Sequence, residues 1–284
     1  MFSSDPSVTA LIRTYNSDRT LRDCLQSLES QTSPPEHVVV VDSGSTDGTL
    51  GIAKDFGAEI IHYPDEEFHY SRALNIGLEQ VHTPHVLIIS SHVSLPEPRT
   101  VEIMETLLQE EEDRCAASIQ GMVSSPSDVG PSDVEWQLVT RQNFVAQFGG
   151  IAIGNTCNLI PRRLWEQCPF DEEIPRVEDQ KWLQYYLNQG RTAVRITRPQ
   201  IVYDNPFYND TKEIRDLVTL AKYDINPSLT EWHYIWKRFH NVLSALRHGD
   251  FSGHRTSFKY NIRLVWQLLK VRLGVHRDAG SKYF

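Results

Sequence analysis

Apolar residues fall along this chain in two rhythms. Val38-Val39-Val40-Val41 and Val86-Leu87-Ile88-Ile89 are unbroken runs, as expected of strands buried on both faces. Leu21, Cys24, Leu25 and Leu28 recur at helical spacing behind the capping residues Asn16, Ser17 and Asp18, which predicts a helix ending near residue 31. The same reading predicts strands over 8–13, 37–42, 58–62 and 85–90, with helices over about 47–56 and 71–81. Strands alternating with helices imply βαβ units, hence an α/β fold with a largely parallel sheet flanked by helices. After a helix over 98–112 the regularity weakens. Residues 124–133 read as a loop, Gly149-Gly150 precedes the apolar stretch 151–160 with a strand over 157–160, helices begin near 161 and 178, and a strand covers 192–196. Beyond about residue 211 the chain reads as helical throughout.

No apolar run reaches the roughly 20 residues of a membrane-spanning helix, and the start of the chain lacks the basic-then-apolar order of a secretory signal. Cys24, Cys115, Cys157 and Cys168 show no CxxC spacing, so reduced, mostly buried thiols in a cytoplasmic protein are expected. A net charge of -9 argues against a general nucleic-acid binder. The charge is uneven, however. From Lys237 onward Arg238, Arg247, Arg255, Lys259, Arg263, Lys270, Arg272, Arg277 and Lys282 face only Asp250 and Asp278. A basic tail on an acidic body suggests an anionic surface or partner.

Candidate chemistry gathers where strands end, because open α/β sheets bind ligands at the carboxyl ends of their strands. Arg13-Thr14-Tyr15-Asn16 ends the first strand. It either presents a backbone edge and a stacking ring to a base or supplies a helix cap and a packed Tyr. Asp42 ends the second strand before Ser43-Gly44-Ser45-Thr46-Asp47-Gly48-Thr49. Its carboxylate either accepts from a base imino NH or caps the turn around Gly44. That segment matches neither GxGxxG nor GxxxxGK[ST], so neither the dinucleotide nor the P-loop fingerprint applies. The fourth strand ends in Ser90-Ser91-His92. Glu178-Asp179 opens a later helix, where adjacent carboxylates serve as catalytic acids or as ordinary N-terminal helix charges. Trp182 either stacks on a sugar ring or belongs to the core, and Arg162 and Arg163 either pair with Asp171 or Glu172 or serve the site.

Ile12 to Asn16, then Val39 to Thr49, then Ala73-Leu74-Asn75-Ile76-Gly77 resemble the nucleotide-binding half of the family 2 glycosyltransferases, which have the GT-A fold. The resemblance is to rhamnosyltransferase-like members of that family. The likeness covers about residues 7–205. It implies a GT-A domain over 1–210, with a nucleotide-sugar-binding half (1–96) and an acceptor half (97–210), followed by a helical extension over 211–284. It implies donor-binding roles for Arg13, Thr14, Tyr15, Asn16, Asp42, Ser43, Arg72, Asn75, Ser91 and His92. Asp179 would be the general base, assisted by Glu178, with Asn155 and Trp182 at the acceptor. Relatives commonly carry Asp-x-Asp on the fourth strand to hold Mg²⁺ or Mn²⁺ against the diphosphate. Ser90-Ser91-His92 stands there instead, and His92 suits Mn²⁺ better than Mg²⁺. Three readings stay open: His92 as a metal ligand, His92 as a direct donor to the diphosphate, or a degenerate site. Around Tyr203-Asp204-Asn205-Pro206, where relatives often have a metal-contacting His, there is none.

The implied activity is transfer of a sugar, with inversion, from a nucleotide diphosphate sugar to a glycan or lipid-linked acceptor hydroxyl, in polysaccharide or surface-glycan assembly. A nucleotidyltransferase and a non-catalytic nucleotide-sugar or glycan-binding module are the alternatives. Trp232, Ile235, Trp236, Phe239, Val242, Leu243 and Leu246 mark one amphipathic tail helix, and Ile262 to Leu273 a second. Packing on the catalytic domain, peripheral attachment to the inner face of a membrane, and homo-oligomer formation are the three roles open to them.

Overall fold

A computed structural model describes residues 8–63, 69–204, 210–249 and 257–275. The basic residues Arg255, Arg277 and Lys282 of the tail, Asn205 and Pro206, and the chain start lie outside them. Two compact units form: residues 1–172 with 178–205, and residues 173–177 with 206–284.

The first unit is a mixed α/β structure around one large sheet. In chain order its strands are β1 (Val8–Thr14), β2 (His37–Asp42), β3 (Glu59–His62), β4 (His85–Ser90), β5 (Val93–Ser94), β6 (Arg114–Ile119), β7 (Met122–Val123), β8 (Glu135–Val139), β9 (Cys157–Pro161), β10 (Thr192–Arg198) and β11 (Ile201–Tyr203). The helices are α1 (Asp18–Glu29), α2 (Thr49–Asp55), α3 (Tyr70–Glu79), α4 (Thr100–Gln109), α5 (Arg162–Gln167) and α6 (Glu178–Asn188). The large sheet runs β3-β2-β1-β4-β9-β6-β10-β8, with only β9 and β8 antiparallel to their neighbours, and a small sheet runs β5-β11-β7.

The apolar strands β1, β2 and β4 form as their composition requires. Ala10, Leu11, Ile12, Val40, Val41 and Leu87 are fully buried, because helices cover both faces of the sheet. On α1 the residues Leu21, Cys24, Leu25 and Leu28 form the buried face. Gly77 sits where α3 lies closest to the sheet: a Cβ there would stand 2.4 Å from Leu11 Cδ1 and 2.8 Å from Val41 Cγ2. Gly77→Ala gains about 1 kcal/mol in helix propensity but must displace two core side chains at about 1–3 kcal/mol. The expected result is a net loss of roughly 1 kcal/mol, read as a lower urea midpoint.

Several expectations are corrected. The segments β5, β6, β7, β8 and β11 were not foreseen as strands, whereas the strand expected over 157–160 forms as β9 (Cys157–Pro161). Ala152 and Ile153 are buried as irregular chain whose backbone bonds go to the side chain of Gln180. Ser17 takes the N-cap position of α1 without a side-chain cap bond, its hydroxyl being used elsewhere. All four thiols are free, and burial pushes Cys24 and Cys115 up to about 12, so neither is a nucleophile at neutral pH.

The second unit carries α7 (Asp210–Lys222), a short 3-10 turn over Pro227–Thr230, α8 (Trp232–His248) and α9 (Phe258–Arg272). Within it Arg176 pairs with Asp216 at 2.5 Å, and Tyr223 donates its hydroxyl to the Glu173 carbonyl. No helix among the described residues is long and apolar enough to cross a membrane.

Candidate active site

The carboxyl ends of β1, β2 and β4 lie side by side, since Thr14 is in register with Asp42 and Arg13 with Ser90. Asp42 is completely buried and fully used. Its Oδ1 accepts from the Gly44 and Ser45 amides at 3.0 and 2.8 Å, and its Oδ2 from the Thr14 and Ser45 hydroxyls at 2.7 and 2.6 Å. Of the two readings open for Asp42, the geometry is that of the turn cap. Asn16, at φ 47°, is a strut of the same kind: its Oδ1 accepts from the Thr46 amide at 2.9 Å and its own amide donates to Ser45 Oγ. Asn adopts this left-handed backbone more readily than most residues. Ser43 is buried, with its amide on the Thr14 carbonyl. Asp42, Asn16 and Ser43 together build the turn at the end of β2. Tyr15 is half-buried, and Arg13 lies 4.8 Å over the Tyr70 ring with its buried Nη1 lacking a hydrogen-bond partner.

The end of β4 is tied to the start of α1. Ser91 Oγ lies 3.0 Å from Ser17 Oγ, and His92 Nδ1 lies 3.1 Å from Thr20 Oγ1. The β5–β11 ladder sets Asp204 beside His92, whose carbonyl accepts the Asp204 amide at 2.9 Å. Asp204 also pairs with Arg19 of α1. The Arg19 bond, then the charges of Arg19 and His92, hold the Asp204 carboxyl below its usual range. A divalent ion fits this donor set poorly. It offers one imidazole, a buried hydroxyl already bonded to Ser17, and a carboxylate already committed to Arg19, whereas Mg²⁺ requires several oxygens. Among the described residues no group of three or more His, Cys, Asp or Glu is arranged to hold a metal.

The acidic pair reaches the same edge of the sheet through β9. Because β9 is antiparallel to β4, its beginning lies at the carboxyl end of β4, and the Ser90 amide donates to the Thr156 carbonyl at 2.9 Å. The adjacent Asn155 holds both acids: its amide donates to Asp179 Oδ2 at 3.1 Å and its Nδ2 to Glu178 Oε1 at 3.3 Å. Asn155 thus ties the two acids to the start of β9. Asp179 Oδ1 accepts the Gln180 amide at 2.8 Å. Burial, then the neighbouring charge of Glu178, pushes the Asp179 carboxyl up to about 7. Immediately before the pair Val177 adopts φ 57°, an uncommon backbone for a β-branched residue, of the kind found where a site fixes side chains.

Asn75 and Trp182 spend their hydrogen-bonding capacity inside the protein. Asn75 is buried, donating to the Phe170 carbonyl and Glu172 and accepting from Trp165 Nε1 and the Phe170 amide, so it staples α3 to the turn before Glu178. Trp182 is buried at 3% exposure, with Nε1 on the Cys168 carbonyl and its ring against Phe170 and Tyr186. It is a core residue. Arg72 pairs with Glu172 at 3.0 Å, and Arg162 with Glu166 at 2.8 Å, so Arg162 does not take the partner expected for it. Sequence reasoning missed Arg19, Asp204 and His69. Burial holds His69 below its usual range against the opposing charge of Glu178, and its buried Nδ1 has no hydrogen-bond partner.

Residues 9–163 match the family described as Glycosyl transferase family 2. The putative glycosyltransferase EpsH of Bacillus subtilis is 26% identical over 188 residues, covering 62% of this chain and 54% of its own. The O-antigen chain rhamnosyltransferase WbaN of Salmonella anatum is 24% identical over 127 residues, 44% of this chain and 40% of its own. The matched part thus spans about half the length of these curated relatives. The mannosyltransferase PcManGT of Pyrobaculum calidifontis, solved with GDP-Man and Mn²⁺, superposes with a TM-score of 0.59 at 18% identity, over 95% of this chain and 74% of its own. That likeness shows a shared GT-A fold.

Proposed function

This chain belongs to glycosyl transferase family 2, and from that premise we propose that it moves a sugar from a nucleotide diphosphate sugar to an acceptor hydroxyl with inversion. The observation that carries the reading is Asp179, a carboxyl pushed up to about 7 and held by Asn155 beside the strand ends that bear Asp42 and His92. A base poised near neutrality suits removal of a hydroxyl proton. In the proposed step the acceptor oxygen attacks the anomeric carbon while Asp179 takes its proton. The bond from that carbon to the diphosphate oxygen breaks, and the nucleoside diphosphate leaves with the electron pair.

The leaving diphosphate needs positive charge at its oxygens. Arg19 and His92 supply it in this proposal, with Arg13 facing the donor from β1. Mn²⁺ is the divalent ion an imidazole at position 92 would suit. The acceptor is a glycan or lipid-linked glycan, in polysaccharide or surface-glycan assembly, and the proposal includes a cytoplasmic location at the inner face of a membrane. In this proposal residues 1–96 serve the donor, 97–210 the acceptor, and 211–284 form an extension.

A thermal-shift panel of UDP, GDP, dTDP and CMP tests donor binding. One of them is expected to stabilise the protein by about 2.7 kcal/mol at a hundredfold excess over Kd, and most of the shift is expected to survive EDTA. A shift abolished by EDTA would contradict the assignment of the diphosphate to Arg19 and His92. No shift with any of the four would remove the donor class.

A further inference from the structure

The helices α8 and α9 carry Lys237, Arg238, Arg247, Lys259, Arg263, Lys270 and Arg272 and not one Asp or Glu, in a chain whose net charge is -9. Each buries one stripe: Ile235, Val242 and Ala245 on α8, and Tyr260, Leu264, Val265 and Leu268 on α9. The remaining surface is apolar to an unusual degree. Trp232, Trp236 and Trp266 are 61%, 71% and 59% exposed, and Leu243, Leu246, Leu273 and Val275 are exposed with them. Spacing on α9 interleaves the two chemistries, since Lys259, Ile262, Arg263, Trp266, Lys270 and Leu273 follow one another at helical intervals. Cations sit directly on rings: Arg272 lies 4.5 Å over Trp232, and Lys270 lies 5.3 Å over Trp266.

Indole rings with basic head groups beside them match a bilayer interface, where the ring lies at headgroup depth and the cation meets lipid phosphate. At 17 and 15 residues the helices are too short to cross a bilayer, but long enough to lie on one. A second copy of the chain is the poorer occupant. Pairing this face with itself would set seven cations against seven, with no carboxylate from either helix between them.

We propose that the α8–α9 face docks on a membrane bearing anionic lipid, through Trp232, Trp236 and Trp266 and the basic residues around them. This deepens the proposed location at a membrane. It is tested without donor or acceptor, so its failure is separate from any failure of sugar transfer.

The full chain is sedimented with vesicles of phosphatidylcholine alone and with vesicles containing about one-third phosphatidylglycerol. Partition is expected to be at least about tenfold stronger on the anionic vesicles, to fall in roughly 0.5 M NaCl, and to shift tryptophan emission to the blue. Two variants are run beside it, Trp236→Ser/Trp266→Ser and Lys259→Gln/Arg263→Gln/Lys270→Gln, each checked for a retained thermal transition. Both are expected to lose binding, the first on all vesicles and the second selectively on anionic ones. Equal partition on both lipids, or unchanged partition in either folded variant, would overturn the proposal. So would a dimer in solution that the tryptophan variant dissociates.

Discussion

Asp179→Asn abolishes sugar transfer, by roughly 10³-fold or more, while nucleoside diphosphate binding stays at the level of the unaltered protein. The substitution keeps the shape of the side chain and removes its basicity, and it leaves one acceptor oxygen where the Asn155 and Gln180 amides now use two. A second signature follows from the carboxyl being pushed up to about 7. The active form is the ionised one, so kcat is expected to rise about tenfold per pH unit below 7 and to level off above it. Stability should run the other way. A folded-state value above the unfolded one means that the native state binds the proton more tightly. That contribution to stability is therefore complete below the ordinary carboxyl range and is lost as pH rises through about 7. The Asn variant is expected to gain thermal stability relative to the unaltered protein at pH ~8 but not at pH ~4. Measuring transfer and melting on the same samples separates a base from a merely structural acid. Retained transfer, or a pH–rate profile flat between ~5.5 and ~8, would remove Asp179 from the role.

Asp42→Asn destabilises the protein by about 3 kcal/mol and weakens nucleotide binding with it. Four donors converge on this buried carboxylate, two of them backbone amides of the turn. Replacing one oxygen by an NH₂ turns it toward donors that cannot accept, and bonds to a charged acceptor are each worth about 1.5–3 kcal/mol. The loop over residues 43–49 and Asn16 bound to it lose their anchor together. Urea unfolding gives the stability, and nucleotide titration gives the affinity. A variant with unchanged stability that has lost nucleotide binding would mean that Asp42 meets the ligand directly and does not cap the turn.

Much of the donor half was legible because its signals are local. Four valines before Asp42, and leucines at helical intervals after Ser17, leave few alternatives once both faces of a sheet must be covered. The second half hides its strands. β6 is Arg-Cys-Ala-Ala-Ser-Ile, small residues following an acidic helix, and β11 is only three residues long, directly after Pro199 and Gln200. β8 is mostly exposed at its edge of the sheet, so burial imposes no apolar alternation on it. At the site, residue identity did not tell how the bonds are used. Nothing in Asn75 or Trp182 announces that Phe170, Trp165 and the Cys168 carbonyl consume their capacity. Arg19 and Asp204 are separated by 185 positions and meet only through the β5–β11 ladder, a pairing no spacing in the sequence encodes.

The most direct measurement is a crystal structure of the full chain with the nucleoside diphosphate that gives the largest thermal shift. The account predicts the diphosphate against Arg19 and His92, at the carboxyl ends of β1, β2 and β4, with Asp179 one sugar ring away from its terminal phosphate. A nucleotide bound anywhere else, such as the cleft of about 400 Å³ lined by His82, Arg114 and Arg162, would contradict it.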